Sequence, residues 1–224
     1  DISCRRLTVV YRGVYLSGML IEQTIRTDTI TIYHVGHESI GQSQPTGTPA
    51  QDNTLSDMPV ELVYQDAAWF ISRLLDRQSN VLVLFMPGMG MNPLPTASES
   101  VRRTHKLVSN HNAFSLLDYP GDSAASYFIA HVRAFLDRYG RAYRKVTMIG
   151  RSGGAWATTI AAAVEPRIQC SISFFGSLPL RLRLPIPGDA RDDLGDFEQY
   201  GLYLFKRLDF TDLYALASAP ARQH

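Results

Sequence analysis

Val146-Thr147-Met148-Ile149-Gly150-Arg151-Ser152-Gly153-Gly154-Ala155-Trp156, continued by Ala157-Thr158-Thr159-Ile160-Ala161-Ala162-Ala163-Val164, decides how the chain is read. A short apolar run, a Gly-Arg-Ser-Gly-Gly corner and an alanine-rich helical pattern follow one another without a gap. That is the strand, turn and helix context a G-x-S-x-G motif requires. Ser152 is the candidate nucleophile. A nucleophilic hydroxyl must stand clear of the sheet, so its serine occupies a strained turn, and Gly150 and Gly154 are small because strand and helix pass close on either side. The helix that follows aims free N–H groups and its positive dipole end at the place where an oxyanion forms, with Gly153 N–H as the first donor. Read as a phosphate-cradling loop, the same corner matches neither G-x-G-x-x-G nor the P-loop with its lysine.

Working outward, 224 residues at 45% apolar and 19% charged composition suffice for one large domain, 1–224, with a substantial core. Lys plus Arg number 22 against 21 Asp plus Glu, so the net charge of +1 supplies no field that favours nucleic acid or an anionic membrane. No apolar run approaches the ~20 residues of a membrane span, and the first residues lack the order of a signal peptide. Residue 1 is Asp rather than Met, which suggests that the native N-terminus and any targeting segment lie upstream. The compartment stays open, with the cytoplasm as the default. Cys4 and Cys170 allow at most one disulfide, and Cys170 falls in an apolar strand pattern where a buried free thiol is expected.

Residues 1–40 read as β-structure, with Thr8–Tyr11, Val14–Leu16 and Thr29–Tyr33 as opening hairpin strands. His34 and His37 have no further ligand at a recognisable spacing, so no metal is expected. Residues 41–59 form a polar loop without periodicity. From Val60 to Leu75 the apolar period is helical, and Val81–Met86 is a continuous apolar run of the kind a parallel strand shows. Thr96 and Glu99 open a helix to about Val108 with a capping box. Ala113–Asp118 reads as a strand, Phe128 to Tyr139 as a helix closed by Gly140, and Ile168 to Phe174 as another strand. Strand and helix alternate through the core at 81–176, which predicts an α/β fold with a mostly parallel, twisted sheet flanked by helices. Ligands gather at the carboxyl ends of such strands, where Gly88, Gly121 and Ser152 fall.

From about Val81 to Ala217 the chain resembles the α/β-hydrolase superfamily. Pro87-Gly88-Met89-Gly90 is similar to the H-G-x-G loop after the third strand, with Pro87 in place of the frequent His. Asp118-Tyr119-Pro120-Gly121-Asp122-Ser123 resembles the D-x-x-G-x-S turn after the fourth, and Gly150 to Gly154 the nucleophile elbow. Gly195 to Gln199 with Asp212 to Ala217 looks like the segment between strands six and seven of esterase-like members. The resemblance implies that Met89 N–H joins Gly153 N–H in the oxyanion hole. It also implies an acid and a histidine that follow Ser152 in the chain, after late strands.

The sequence stops at Ala221-Arg222-Gln223-His224, where the resemblance places the approach to strand seven. Both partners of Ser152 are therefore expected in a missing C-terminal part, and the 224 residues, as a C-terminally incomplete hydrolase, are expected to be nearly inactive. Residues 177–211, with Pro179, Pro185, Pro187, Arg181, Arg183 and Arg191, read as a lid or cap. The expected activity is cleavage of a small carboxylic ester through a serine acyl-enzyme, with no cofactor. A peptidase or acyltransferase on the same scaffold, or a non-catalytic binding protein that kept the fold, are the alternatives. Oligomeric state is left open.

Overall fold

The computed structural model describes residues 1–36, 65–89, 91–92, 111–182 and 197–219. Six strands form one sheet in the order β1-β2-β4-β3-β5-β6, and helices cover both of its faces. The strands are β1 (Ile2–Tyr11), β2 (Val14–Gln23), β3 (Thr29–His34), β4 (Asn80–Leu84), β5 (Lys145–Arg151) and β6 (Cys170–Phe174). The helices are α1 (Gln65–Asp76), α2 (Ala125–Tyr139), α3 (Gly153–Val164), α4 (Phe197–Tyr200) and α5 (Phe210–Ser218).

β1 and β2 make the expected antiparallel hairpin, turning at Arg12-Gly13, both of which have positive φ. β3 does not join that hairpin. It lies in the middle of the sheet, parallel to β4 on one side and β5 on the other, with Tyr33 opposite Val83 and Ile149. It is covered on both faces although its residues alternate: every residue from Ile30 to His34 is buried, and the hydroxyl of the buried Thr31 is satisfied by Ser79 Oγ at 3.0 Å. A further departure is Ala113–Asp118. Most of it belongs to a 3-10 helix, His111–Leu117, and among the described residues no strand lies between β4 and β5 in the chain. A six-residue apolar run carries no periodicity that separates strand from short helix. The expected capped helix near 96–108 and the polar loop at 41–59 lie outside the described residues.

Two apolar layers sandwich the sheet. On one face Leu16, Leu20, Ile32, Leu82, Leu84 and Met148 pack against Phe128, Val132 and Phe135 of α2 and Trp156 and Ile160 of α3. On the other face Met19, Ile21, Tyr33, Val83 and Ile149 pack against Ala67 and Ile71 of α1. Trp156 is fully buried with Phe128 edge-on at 5.0 Å, a geometry that adds about 1 kcal/mol to the burial of the two rings.

The region expected as a lid contributes to this core. Leu202 and Phe210 are buried, as is Leu213 just beyond that region, α5 packs on α3, and Phe205 lies 4.9 Å from the Phe210 ring. Asp209 caps α5 in a capping box with Asp212, and its Oδ1 also accepts from Leu180 N–H at 2.9 Å, tying the chain after β6 to the helix. Burial alone would raise the Asp209 pKa, but the Leu180 and Phe210 N–H groups outweigh it and lower the value. Asp209→Ala is expected to cost about 1 to 2 kcal/mol, read as a lower urea midpoint. Residues 183–196, including Arg183, Arg191, Pro185 and Pro187, lie outside the described residues.

Candidate active site

Ser152 stands between the end of β5 and the first residue of α3, with φ 56° and ψ −125°. A side chain in that region costs about 1 to 3 kcal/mol and persists only where the surroundings fix it. Here they do. Ser152 N–H donates to Phe174 O at 2.9 Å, and Ser152 O accepts from Ala155 and Trp156 N–H at 2.9 and 3.2 Å. The serine's backbone is thus held by β6 on one side and by the first turn of α3 on the other.

Four glycines let the neighbouring backbones close around it. Gly150 and Gly154 do what their place in the motif requires: a Cβ on Gly150 would overlap Gly154 O and Thr158 Oγ1, and one on Gly154 would overlap His34 O. Two more do not stand out in the sequence. A Cβ on Gly36, just past β3, would come within 2.5 Å of Arg151 O, 2.8 Å of Ser152 Cβ and 2.9 Å of Gly153 N. One on Gly176, just past β6, would overlap Ser152 O. The serine therefore sits at the carboxyl ends of three adjacent parallel strands, β3, β5 and β6. A glycine one or two residues past an apolar strand is the only signal the sequence offers for these two positions.

The two expected oxyanion donors differ in their surroundings. Gly153 N–H has no acceptor among the described residues and opens α3, so it adds to the helix's positive end. Met89 N–H donates to Met86 O at 3.0 Å, in a turn that Gly88 makes at φ 79°. This loop follows β4, the fourth strand in the chain, rather than the third. After the third described strand come Val35 and Gly36, and Gly36 lies against Arg151 O, Ser152 Cβ and Gly153 N. Asn92 fastens the β4 loop downward, its Nδ2 donating to Phe85 O at 2.8 Å and its Oδ1 accepting from Ser17 N–H.

Among the described residues no imidazole or carboxylate hydrogen-bonds to Ser152 Oγ. Asp118 is engaged elsewhere, as its place in the turn leads one to expect. Its Oδ1 accepts from Ser123 Oγ at 2.9 Å and Ala124 N–H at 2.8 Å, at the start of α2, and its Oδ2 from Tyr203 N–H. His34 and His131 are both buried, with ring centroids 5.3 Å apart. Burial, then the neighbouring His34, push the His131 pKa well below 6.5, and the Phe85 carbonyl offsets only part of this. The imidazole is neutral in the fold, whereas the unfolded chain takes up a proton near pH 6.5. Stability from this group is complete above that pH and declines as pH falls through it. The melting temperature is expected to drop between pH 7.5 and about 5.5, and to drop less in His131→Phe, which keeps the ring volume without the titration.

Among the described strands β6 is one edge of the sheet. Its residues are exposed or half-exposed, with Ile172 at 39% and Phe174 at 44%, and Phe175 just beyond at 82%. Cys170 is exposed rather than buried, because β6 pairs only with β5 among the described strands. Cys4 is also a free thiol.

The mixed sheet and its helical layers are those of the α/β-hydrolase fold. The esterase Pf2001 of Pyrococcus furiosus, in one crystal form, superposes with a TM-score of 0.55 at 14% identity, over 98% of this chain and 69% of its own. A second crystal form of that esterase gives 0.50 at 16% identity, over 96% of this chain and 60% of its own. No protein-family model and no curated protein sequence matches the chain. No helix among the described residues is long and apolar enough to cross a membrane.

Proposed function

We propose that the chain carries the nucleophile of a serine hydrolase that cleaves a carboxylic ester through an acyl-enzyme on Ser152. The observation that carries this reading is the serine's conformation: φ 56° at the turn into α3, beside a Gly153 N–H without an acceptor among the described residues. A protein that needed only the turn would place glycine there, since the β-carbon at this φ is a cost without a structural return.

In the proposed reaction Ser152 Oγ attacks the ester carbonyl while a base takes its proton, and the carbonyl oxygen becomes an oxyanion facing Gly153 N–H. Met89 N–H, which donates to Met86 O at 3.0 Å, is the proposed second donor and has to give up that bond to reach the oxyanion. Collapse of the adduct releases the alcohol, which receives the proton from the base, and water then hydrolyses the acyl-serine by the same route in reverse. No metal or organic cofactor is required for these steps. The reaction requires a base for the Ser152 proton, and no imidazole or carboxylate among the described residues hydrogen-bonds Ser152 Oγ. The chain spans 69% and 60% of the Pyrococcus esterase in the two crystal forms. That the similar Pyrococcus protein is an esterase supports the choice of substrate class.

One observation favours a second reading, a binding protein that kept the fold: Ser152 Oγ has no base among the described residues. Pre-steady-state hydrolysis of p-nitrophenyl acetate by the complete protein separates the two. A burst of p-nitrophenolate equal to the enzyme concentration, followed by slower turnover, is the expected result. Folded protein without burst or turnover would leave the binding reading in place.

A further inference from the structure

Among the described residues four that are not glycine have positive φ: Arg12, Gln78, Ser152 and Phe175. Arg12 makes the β1-β2 turn and pairs with Asp122, and Gln78 lies in the turn from α1 to β4. Both are exposed polar residues. Phe175 is the apolar member of the set. Its φ is 55°, a region in which a bulky side chain is strained, and its ring is 82% exposed and stacks on no other ring of the described residues. Burial therefore does not offset the strain. Glycine would make the same turn without the clash, and a polar side chain would leave less apolar surface in water.

The strain lies beside the serine. Phe174 O accepts from Ser152 N–H at 2.9 Å, and a β-carbon on Gly176 would overlap Ser152 O and lie 3.3 Å from Ser152 Cα. Phe175 is the residue between these two. With consecutive Cα atoms about 3.8 Å apart, its Cα stands within about 9 Å of Ser152 Cα. The chain is also fastened just beyond it, where Ser177 O accepts from the Tyr214 hydroxyl and Leu180 N–H donates to Asp209 Oδ1 at 2.9 Å. The backbone that carries the ring is thus held on both sides. Strain that the surroundings maintain gathers at functional sites, and β6 ends at the carboxyl edge of the parallel strands, where ligands gather.

We infer that Phe175 is a substrate-contact residue of the Ser152 site, and that its ring is the platform for an aromatic arm of the ester. This rests on the proposal that Ser152 is the nucleophile. An ester carbonyl bonded to Ser152 Oγ sends its acyl and alcohol arms in different directions, and the arm that passes the end of β6 meets Phe175. An aryl group there covers the exposed ring and gains the offset or edge-on attraction of an aromatic pair, whereas a saturated ring of the same carbon count gains the covered area alone. Selection by size would need only an aliphatic side chain. The ring selects for an aryl arm.

Two ester pairs, followed by pH-stat with the complete protein at pH 7.5, test this: ethyl phenylacetate against ethyl cyclohexylacetate, and benzyl acetate against cyclohexylmethyl acetate. Phe175→Leu keeps an apolar side chain without the ring. In one pair it is expected to lower kcat/KM for the aryl ester about fivefold and to leave the cyclohexyl ester within about twofold of the parent, and that pair identifies the arm over β6. Comparing variants on one ester cancels the intrinsic reactivity of the ester itself. Phe175→Trp is expected to keep the parent's aryl preference, and the rate of Ser152 phosphonylation by diisopropyl fluorophosphate, which has no aryl group, is expected to be unchanged in Phe175→Leu. Equal losses on both members of each pair, or no loss on any of the four esters, would overturn the role of Phe175 while a labelled, active Ser152 left the hydrolase reading standing. Folded parent protein that neither labels nor turns over any ester would remove both.

Discussion

Ser152→Gly is expected to give a protein that is more stable than the parent and has no esterase activity. The two effects have one origin. At φ 56° and ψ −125° the serine β-carbon is strained, and glycine relieves about 1 kcal/mol or more of that strain in the folded state, partly offset by its greater freedom in the unfolded chain. The hydroxyl that leaves with the side chain is the proposed nucleophile. In the complete protein kcat is expected to fall by about 10⁴ to 10⁶, the range seen when a serine hydrolase loses a triad member, with only a residue of oxyanion stabilisation left. Ser152→Ala removes the same hydroxyl and keeps the β-carbon, so it should match the glycine variant in activity and the parent in melting temperature. If Ser152→Gly were instead less stable than Ser152→Ala, the strain would not be held at this residue.

Gly154→Val is expected to have the largest effect on stability. A β-carbon there meets the His34 carbonyl oxygen inside contact distance, its carbon at 2.7 Å and the Val35 carbonyl carbon at 3.0 Å. β3 cannot retreat, because it is hydrogen-bonded to β4 on one side and β5 on the other, and α3 cannot retreat without uncovering Trp156. Overpacking against fixed backbone on both sides costs about 3 kcal/mol or more, a large share of the stability of an ordinary domain. Gly121 provides the contrast. It needs positive φ, at 86°, but a β-carbon there meets nothing within 4 Å. Gly121→Ala is expected to cost only about 1 kcal/mol, from backbone conformation alone. Urea midpoints of the two variants, compared with the parent, distinguish steric overlap from conformational strain.

The strand, turn and helix around Ser152 are legible in the sequence because everything they need is local. Strand, strained serine, small neighbours and helix lie within twenty residues, and the structure has β5, Ser152 and α3 in that order. The α/β class and the β1-β2 hairpin are legible for the same reason, since periodicity and turn residues are read over short windows. Which strands become neighbours cannot be read that way. Thr29–His34 has the β-branched composition of a hairpin strand, and only its parallel pairing with β4 and β5, remote in the chain, makes it central. That one difference moves the loop after the third strand from Pro87-Gly88-Met89 to Val35-Gly36. Gly36 and Gly176 do not announce themselves because the need for glycine there comes from backbone brought in by the fold, not from any local turn. Cys170 reads as buried because an alternating apolar pattern does not say whether a strand will lie at the edge of its sheet, which is where β6 is found.

The most direct test of Ser152 as nucleophile is to treat the complete protein with a fluorophosphonate and map the adduct by mass spectrometry after trypsin. Cleavage after Arg151 and Arg167 isolates a peptide in which Ser152 is the only serine. One phosphonyl group on that peptide, absent from Ser152→Ala and blocked by prior heat denaturation, is the result predicted here. A cooperatively folded protein that stays unlabelled, or that carries the group on another peptide, would contradict the assignment.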